Sequence, residues 1–266
     1  MPAIFVGALF LVVFLRQPNG PEVREQWLFN GRTMGTTFTV KIIAPVEPTV
    51  TKEEVAAAVR DAVDTVDDRM STYRPDSELS RFNDSGTEPV EISPALFEVL
   101  AEAQRVAEMS GGAFDITVGP LVDAWGFGPE GAVEPPDDAT VERLLAEHGY
   151  RYLELDPEKR TARKTSPGLR CDLSAIAKGY GVDRVAGRLM ELGFDDFMVE
   201  IGGEVRARGV NAEGRVWRIG VERPVAQRSG VWGAVELADV AQAPAGADPH
   251  KYESDGVRLS QNNVGP

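Results

Sequence analysis

The period of the apolar positions changes from segment to segment along the chain, and these changes predict the elements. From Thr36 to Ile43 the pattern alternates, which puts Phe38, Val40 and Ile42 on one face of a strand. Thr51 and Glu54 then form a capping-box pattern, and Val55, Val59, Val63, Val66 and Met70 recur as the buried stripe of a helix. Ser93 and Pro94 open another helix, with Leu96, Leu100, Ala103 and Ala107 inward and Gly111 closing it. Asp138 or Thr140 starts a helix through Leu144 and Leu145 that Gly149 ends. Val182, Val185, Leu189 and Leu192 recur at helical spacing before Gly193, which stands where a helix C-terminal glycine belongs. Short strands are expected at Tyr152–Leu155, Phe197–Ile201, Glu204–Arg208, Trp217–Val221 and Val231–Leu237.

The segments between these elements are rich in turn formers. Ser71–Asn83 reads as a loop dense in hydrogen-bonding groups, and Gly112–Leu121 with Trp125–Gly128 as a second, glycine-rich one. Strands and helices mix without a βαβ rhythm or an internal repeat. This predicts an α+β fold, with mixed sheets and packed helices.

Ahead of the folded sequence, Ala3–Leu15 is an uncharged apolar run. It falls short of the roughly twenty residues of a membrane-spanning helix and suits the apolar core of a secretory signal. Residues 1–16 are therefore expected to be an export signal or weak membrane anchor, with a buried N-terminal helix as the alternative. Residues 17–26, polar with Pro18, Gly20 and Pro21, read as a linker, and the folded domain as 27–266. With 266 residues, 42% apolar and 26% charged, the chain can bury a core as one large domain or two lobes. A net charge of −14 argues against nucleic acid or an anionic membrane surface as partner. Cys171 is the only cysteine, which excludes an internal disulfide and reads as a small buried residue.

The most informative stretch is Cys171–Asp183, a turn or short strand that runs into a helix start. Backbone N–H groups and the positive end of the helix dipole collect there. Lys178 is badly placed on dipole grounds, and a bound anion removes the conflict. Ser174, Ala175, Gly179 and Gly181 leave room for a phosphate against the backbone. The alternative is an ordinary helix start with a solvated lysine. No dinucleotide fingerprint, P-loop, HExxH or GxSxG motif occurs. Of the two histidines, His148 falls at a helix end where a capping role is preferred, so serine–histidine and histidine–zinc chemistry are poorly supported. Asp115, Asp172 and Asp183, all near glycines, with Lys178, suggest hard oxygen ligands for Mg²⁺ or Ca²⁺ beside a phosphate. Each aspartate alone is equally a cap or turn residue.

Met34-Gly35-Thr36, the Ser71–Asn83 loop, Gly112–Leu121, Asp172–Tyr180 and Val199–Glu204 follow one another in an order and spacing that resemble the FAD:protein FMN transferase family. It is also called the ApbE or thiamine-biosynthesis lipoprotein family, and the resemblance runs from about Trp27 to Asp239. The resemblance implies a two-lobed single domain and an Mg²⁺-dependent enzyme on the exported, periplasmic side of a bacterial cytoplasmic membrane. Such an enzyme cleaves FAD and attaches FMN by a phosphoester to a threonine or serine of an acceptor protein, a subunit of a respiratory or sodium-pumping redox complex.

By the same resemblance Met34 and Tyr73 contact FAD, and Ala113, Phe114 and Asp115 line the flavin nucleotide. Asp172 and Lys178 contact FAD and carry the catalytic electrostatics, and the Ala175 carbonyl is a metal ligand. Glu204, after the Gly202-Gly203 turn, is either structural or catalytic. The family's Thr-Ser-Gly-Asp-Tyr segment is replaced by Ala243–Asp248. Ser254–Ser260 resembles the lead-in to its His-x-x-Asp-Pro-x-Thr-Gly segment, with Gln261 at the histidine. The helix that gives an aspartate and a threonine to the metal has no counterpart in the sequence. A domain divergent or incomplete at its C-terminus, with an incomplete set of metal ligands, is thus expected. A non-catalytic flavin-nucleotide-binding protein and a ligand-free scaffold are the alternatives.

Overall fold

The structure is a computed structural model that describes residues 24–129, 131, 134–222, 231–237, 240–242, 251–254 and 257–260. The apolar run at 3–15, most of the 17–26 segment, Ala243–Asp248, His250 and Gln261 lie outside the described residues.

Strands β1 (Gln26–Thr33) and β2 (Thr36–Ile43) form a hairpin in which Thr33 pairs with Thr36 across Met34-Gly35. Both turn residues have positive φ, 45° at Met34 and 70° at Gly35. That is the pattern of the turn whose twist matches paired strands. Gly35 adopts it freely, whereas a side chain such as that of Met34 costs about 1 kcal/mol there. β1 has no counterpart in the sequence-based expectation, because its burial alternates, with Trp27, Phe29, Gly31 and Thr33 inward, while the consecutive apolar Trp27-Leu28-Phe29 and the polar residues after them hide that period. Residues 24–26 of the segment expected to be a linker belong to the described fold. Arg24 pairs with Asp196 at 2.6 Å, and the Glu25 carbonyl accepts from the Ala44 N–H.

Helix α1 (Lys52–Met70) begins with the expected capping box. The Thr51 hydroxyl accepts from the Glu54 N–H at 3.2 Å, and the Glu54 carboxylate accepts from the Thr51 N–H at 2.8 Å. The segment read as a loop over 71–83 instead turns into helix α2 (Glu78–Asp84). Its turn formers mark a helix start. The Ser77 hydroxyl accepts from the Ser80 N–H, and Leu79 and Phe82, one turn apart, are buried. There follow β3 (Val90–Glu91), α3 (Pro94–Met109), α4 (Gly119–Ala124) and α5 (Asp138–Glu147), the last capped by Asp137. A 3₁₀ turn takes Tyr150–Tyr152, so β4 is Leu153–Asp156, one residue later than expected, and β5 is Thr161–Lys164. Then come α6 (Ala177–Glu191), β6 (Phe197–Ile201), β7 (Glu204–Arg208), β8 (Trp217–Glu222) and β9 (Val231–Leu237). Short strands β10 (Val240–Gln242), β11 (Lys251–Ser254) and β12 (Val257–Ser260) complete the described chain. No described helix is long and apolar enough to cross a membrane.

The principal sheet has the order β1-β2-β6-β7-β10, with every neighbouring pair antiparallel. Smaller antiparallel sheets are β3-β5-β4, β8-β9 and β11-β12. Phe38, Val40, Val199 and Ile201 on one face of the large sheet pack with stripes from α1 and α6. The opposite face, with Met198, Val205 and Ala207, packs on Trp217 and Leu237. A separate core gathers residues of α2, α3, β4 and β5. Helix α1 joins the two large cores, with Val55, Val59 and Val63 in one and Val66 and Met70 in the other. The α+β class thus holds, and its two cores answer to the two lobes expected within one domain.

A polar clasp crosses the second core. The Asn83 side chain donates to the Cys171 carbonyl and accepts from the Cys171 N–H, each at 2.8 Å. The Asn83 carbonyl in turn accepts from Lys164 Nζ at 2.6 Å, and Lys164 is only 1% exposed. Burial lowers the Lys164 pKa and pushes the Cys171 thiol up to about 12, so the cysteine is an inert core residue, as expected. Asn83→Ala leaves the Lys164 bond in place but strips both Cys171 backbone groups of their partner. It is expected to lower stability by about 3 kcal/mol in urea unfolding. Thr51→Ala, which removes an exposed cap, is expected to lower it by about 1 kcal/mol in the same measurement.

Candidate active site

Three chain reversals meet at one end of the large sheet: the β1–β2 turn, the β6–β7 turn and the start of α6. Gly202 has φ 57°, and its N–H donates to the Thr37 carbonyl at 3.0 Å. A Cβ on Gly202 would sit 2.8 Å from Thr36 Cγ2 and 3.0 Å from Lys178 Cδ, so the lysine stem lies across this turn. A Cβ on Gly181 would sit 3.1 Å from Met34 Cε and 3.2 Å from Ile201 Cδ1. The glycines are therefore required by close approach. Met34 packs against both large cores, which explains how its backbone strain is held.

Lys178 is the second residue of α6, the first turn anticipated from sequence. Ile176 occupies the N-cap and makes no side-chain capping bond. Among the described residues the N–H groups of Lys178 and Gly179 have no acceptor, and the Lys178 ammonium forms no ion pair or hydrogen bond. Free amides, a helix dipole and an uncompensated cation thus coincide, an arrangement that favours a bound phosphate.

The approach to this turn is rigid. Asp172 donates its N–H to the Ile116 carbonyl at 2.7 Å, and its Oδ1 accepts from the Ser174 N–H at 2.8 Å. The clasp from Asn83 fixes the residue before it. Asp172 Oδ2 and the exposed Ala175 carbonyl have no protein partner among the described residues. Asn83 and Lys164 carry this support, and sequence reading did not single them out, because the contacts span 88 and 81 residues of chain.

Two aspartates read as possible cation ligands have other work. Asp115 Oδ1 accepts from the N–H and hydroxyl of Thr117, and Oδ2 accepts from the Tyr150 N–H at 2.7 Å. It organises the loop that carries exposed Ala113 and half-buried Phe114. Ile116, next to it, bonds Asp172, so this loop and the α6 approach are joined. Asp183 pairs with Arg206 at 2.6 Å on the outer side of α6. No group of three or more His, Cys, Asp or Glu side chains that could hold a metal occurs among the described residues. The expected joint acidic cluster is therefore not formed there. Tyr73, 58% exposed, donates its hydroxyl to the Phe127 carbonyl at 2.7 Å and ties the 71–77 turn to the second glycine-rich loop. His148 caps α5 through Nδ1 and the Leu144 carbonyl, the role expected for it.

Glu204 opens β7 beside Lys178. Its Oε2 is buried without a hydrogen-bond partner among the described residues. Desolvation raises its carboxyl above the usual range, and Lys178 opposes that shift.

Residues 34–261 match the model of the ApbE family. A FAD:protein FMN transferase of Vibrio cholerae is 42% identical over 239 residues, covering 89% of this chain and 70% of the relative. The Escherichia coli protein of that name is 32% identical over 264 residues, covering 97% and 75%. Among solved structures, the flavin transferase ApbE from Vibrio cholerae superposes with a TM-score of 0.77 at 41% identity, covering 82% of this chain and 70% of that one. The apo flavinyl transferase ApbE of Pseudomonas stutzeri gives 0.78 at 33% identity, covering 89% and 73%. A family match across most of the chain, a shared fold and relatives at this identity agree: this chain belongs to the ApbE family.

Proposed function

We propose that this chain is a FAD:protein FMN transferase, which moves FMN from FAD to a serine or threonine hydroxyl of an acceptor protein. The observation that carries the reading is the uncompensated Lys178 in an uncapped helix start, walled by Met34 and the Gly202 turn. The acceptor oxygen attacks the FMN phosphorus, the bond from that phosphorus to the AMP phosphate breaks, and AMP leaves. Such transfer depends on in-line positioning and charge stabilisation more than on a covalent protein intermediate. Lys178 and the free amides of α6 supply fixed positive charge where phosphoryl oxygens gather. Met34, Tyr73, Ala113 and Phe114 are the side chains assigned to hold the flavin nucleotide, with Asp115 shaping the loop that carries two of them.

The reading includes a divalent ion, Mg²⁺. The hard donors left unpaired, the Ala175 carbonyl and Asp172 Oδ2, fit an ion shared with substrate phosphates rather than an all-protein cage. When bound, the ion would neutralise phosphate charge. The acceptor is assigned to a subunit of a respiratory or other redox complex. The site of action is assigned to the exported side of the cytoplasmic membrane, a reading supported by the apolar run at 3–15. An alkaline phosphatase fused after residue 26 should be active in cells if that assignment holds, and inactive if the chain stays inside.

The transfer reading is tested with the full chain, FAD, Mg²⁺ and a flavin-accepting subunit. The acceptor should gain the mass of one FMN and in-gel fluorescence, and chelation by EDTA should abolish both. Lys178→Ala is expected to raise the Kd for FAD about tenfold or more, measured by fluorescence titration. FAD retained without transfer would instead identify a flavin-nucleotide-binding protein, and neither signal from a folded sample would overturn the reading.

A further inference from the structure

The principal sheet ends at β1, and among the described residues no strand pairs with its outer side. Two bonds fix which backbone groups face that side. The Glu25 carbonyl accepts from the Ala44 N–H within the hairpin, whereas the Arg32 carbonyl accepts from Arg60 of α1 at 3.2 Å, outside it. Odd-numbered residues of β1 therefore spend their N–H and C=O groups on β2, and even-numbered ones point them away from the sheet. Among the described residues those of Gln26, Leu28 and Asn30 have no partner. Open edges are ordinarily blunted by proline, lysine or a bulge. β1 has none of these, and it pairs with β2 over eight residues without a register shift.

This edge leads into the candidate active site. β1 ends at Thr33, and the next residue is Met34, whose Cε lies against Gly181 of α6. A Cβ on Gly35 would meet nothing within 4 Å, so the outer side of the turn is open. On the sheet face away from the helices, Leu28 is 48% exposed opposite Lys41, and Lys41 and Arg32 form no ion pair among the described residues. Resting on the transfer reading above, we infer that the free edge of β1 docks the acceptor protein, through an extended segment beside its serine or threonine that adds a strand to the sheet. Backbone groups of the segment bond Gln26, Leu28 and Asn30, an apolar side chain covers Leu28, and a carboxylate meets Lys41 or Arg32. Arg60 holds the Arg32 rung, so pairing stops at Asn30. From there to Met34 the strand runs about 13 Å, which places the hydroxyl about four residues beyond the last paired one. An extended segment also brings a hydroxyl past Met34 and Lys178 without carrying a globular surface into the turn. A second copy of the chain suits the edge less, because it brings another net charge of −14.

The test uses the full chain with FAD, Mg²⁺ and a flavin-accepting subunit, comparing wild type, Leu28→Pro and Asn30→Pro. Proline at either position deletes an outward donor and crowds the edge, yet removes no β1–β2 hydrogen bond. Each variant should raise the KM for the acceptor about tenfold or more. The Kd for FAD, and kcat at saturating acceptor, should stay within about twofold of wild type. In wild type without FAD, adding the acceptor should slow hydrogen exchange at the Leu28 and Asn30 amides about tenfold or more. Trp27 and Phe29, already bonded to β2, should not change. If neither proline variant folds, the exchange decides, and unprotected Leu28 and Asn30 amides overturn the proposal. Proline variants that flavinylate with the wild-type acceptor KM overturn the docking edge alone. Protection that follows chain concentration, with a dimer in sedimentation, gives the edge to a second copy and also overturns it. Wild type that binds FAD but flavinylates nothing overturns the transfer reading on which the docking rests.

Discussion

The first turn of α6 concentrates positive potential that the protein itself does not neutralise. An N-terminus with no side-chain cap already presents unpaired amides, and Lys178 adds a full charge at the dipole end that disfavours it. A chain selected for stability alone would place a serine or aspartate at Ile176 and an acidic residue in the first turn. α1 does both, with Thr51 as cap and Glu53 and Glu54 following. The contrast between these two helices of one core is physical. α1 is capped within the fold, whereas the first turn of α6 keeps unpaired amides and an unpaired cation.

The surrounding structure holds this unfinished turn still. From one side the Asn83 clasp and the Asp172 bond to Ile116 fix the approach. From the other, Gly181 and Gly202 let Met34 and the Lys178 stem pack at distances no larger residue allows. Pre-set geometry of this kind matters in phosphoryl transfer, where fixed charge and alignment lower the barrier. The strained φ of Met34 belongs to the same economy, since the turn residue best suited to that backbone would lack the side chain that reaches both cores.

Much of this was legible in the sequence where local pattern and tertiary packing agree. The stripe from Val55 to Met70 and its capping box, the alternation over 36–43, and β6, β7 and β9 match their observed bounds. The failures have specific causes. β1 alternates in burial but not in residue type, since exposed Leu28 sits between Trp27 and Phe29, and α2 hides behind turn formers that serve as its cap. Asn83 and Lys164 act on backbone groups far away in sequence, and no local pattern encodes such a contact.

The carboxylates show most clearly why residue type alone misleads. Asp115 and Asp183 look like ligands from sequence, yet both oxygens of Asp115 are taken by Thr117 and Tyr150, and exposed Asp183 gives Oδ1 to Arg206. Asp172 keeps one oxygen free, and Glu204 keeps one that is both free and buried. A carboxylate whose oxygens are all bonded is electrostatically settled and has little left to give a substrate. Glu204 and Lys178 are thus opposite charges that the fold brings near each other without pairing them.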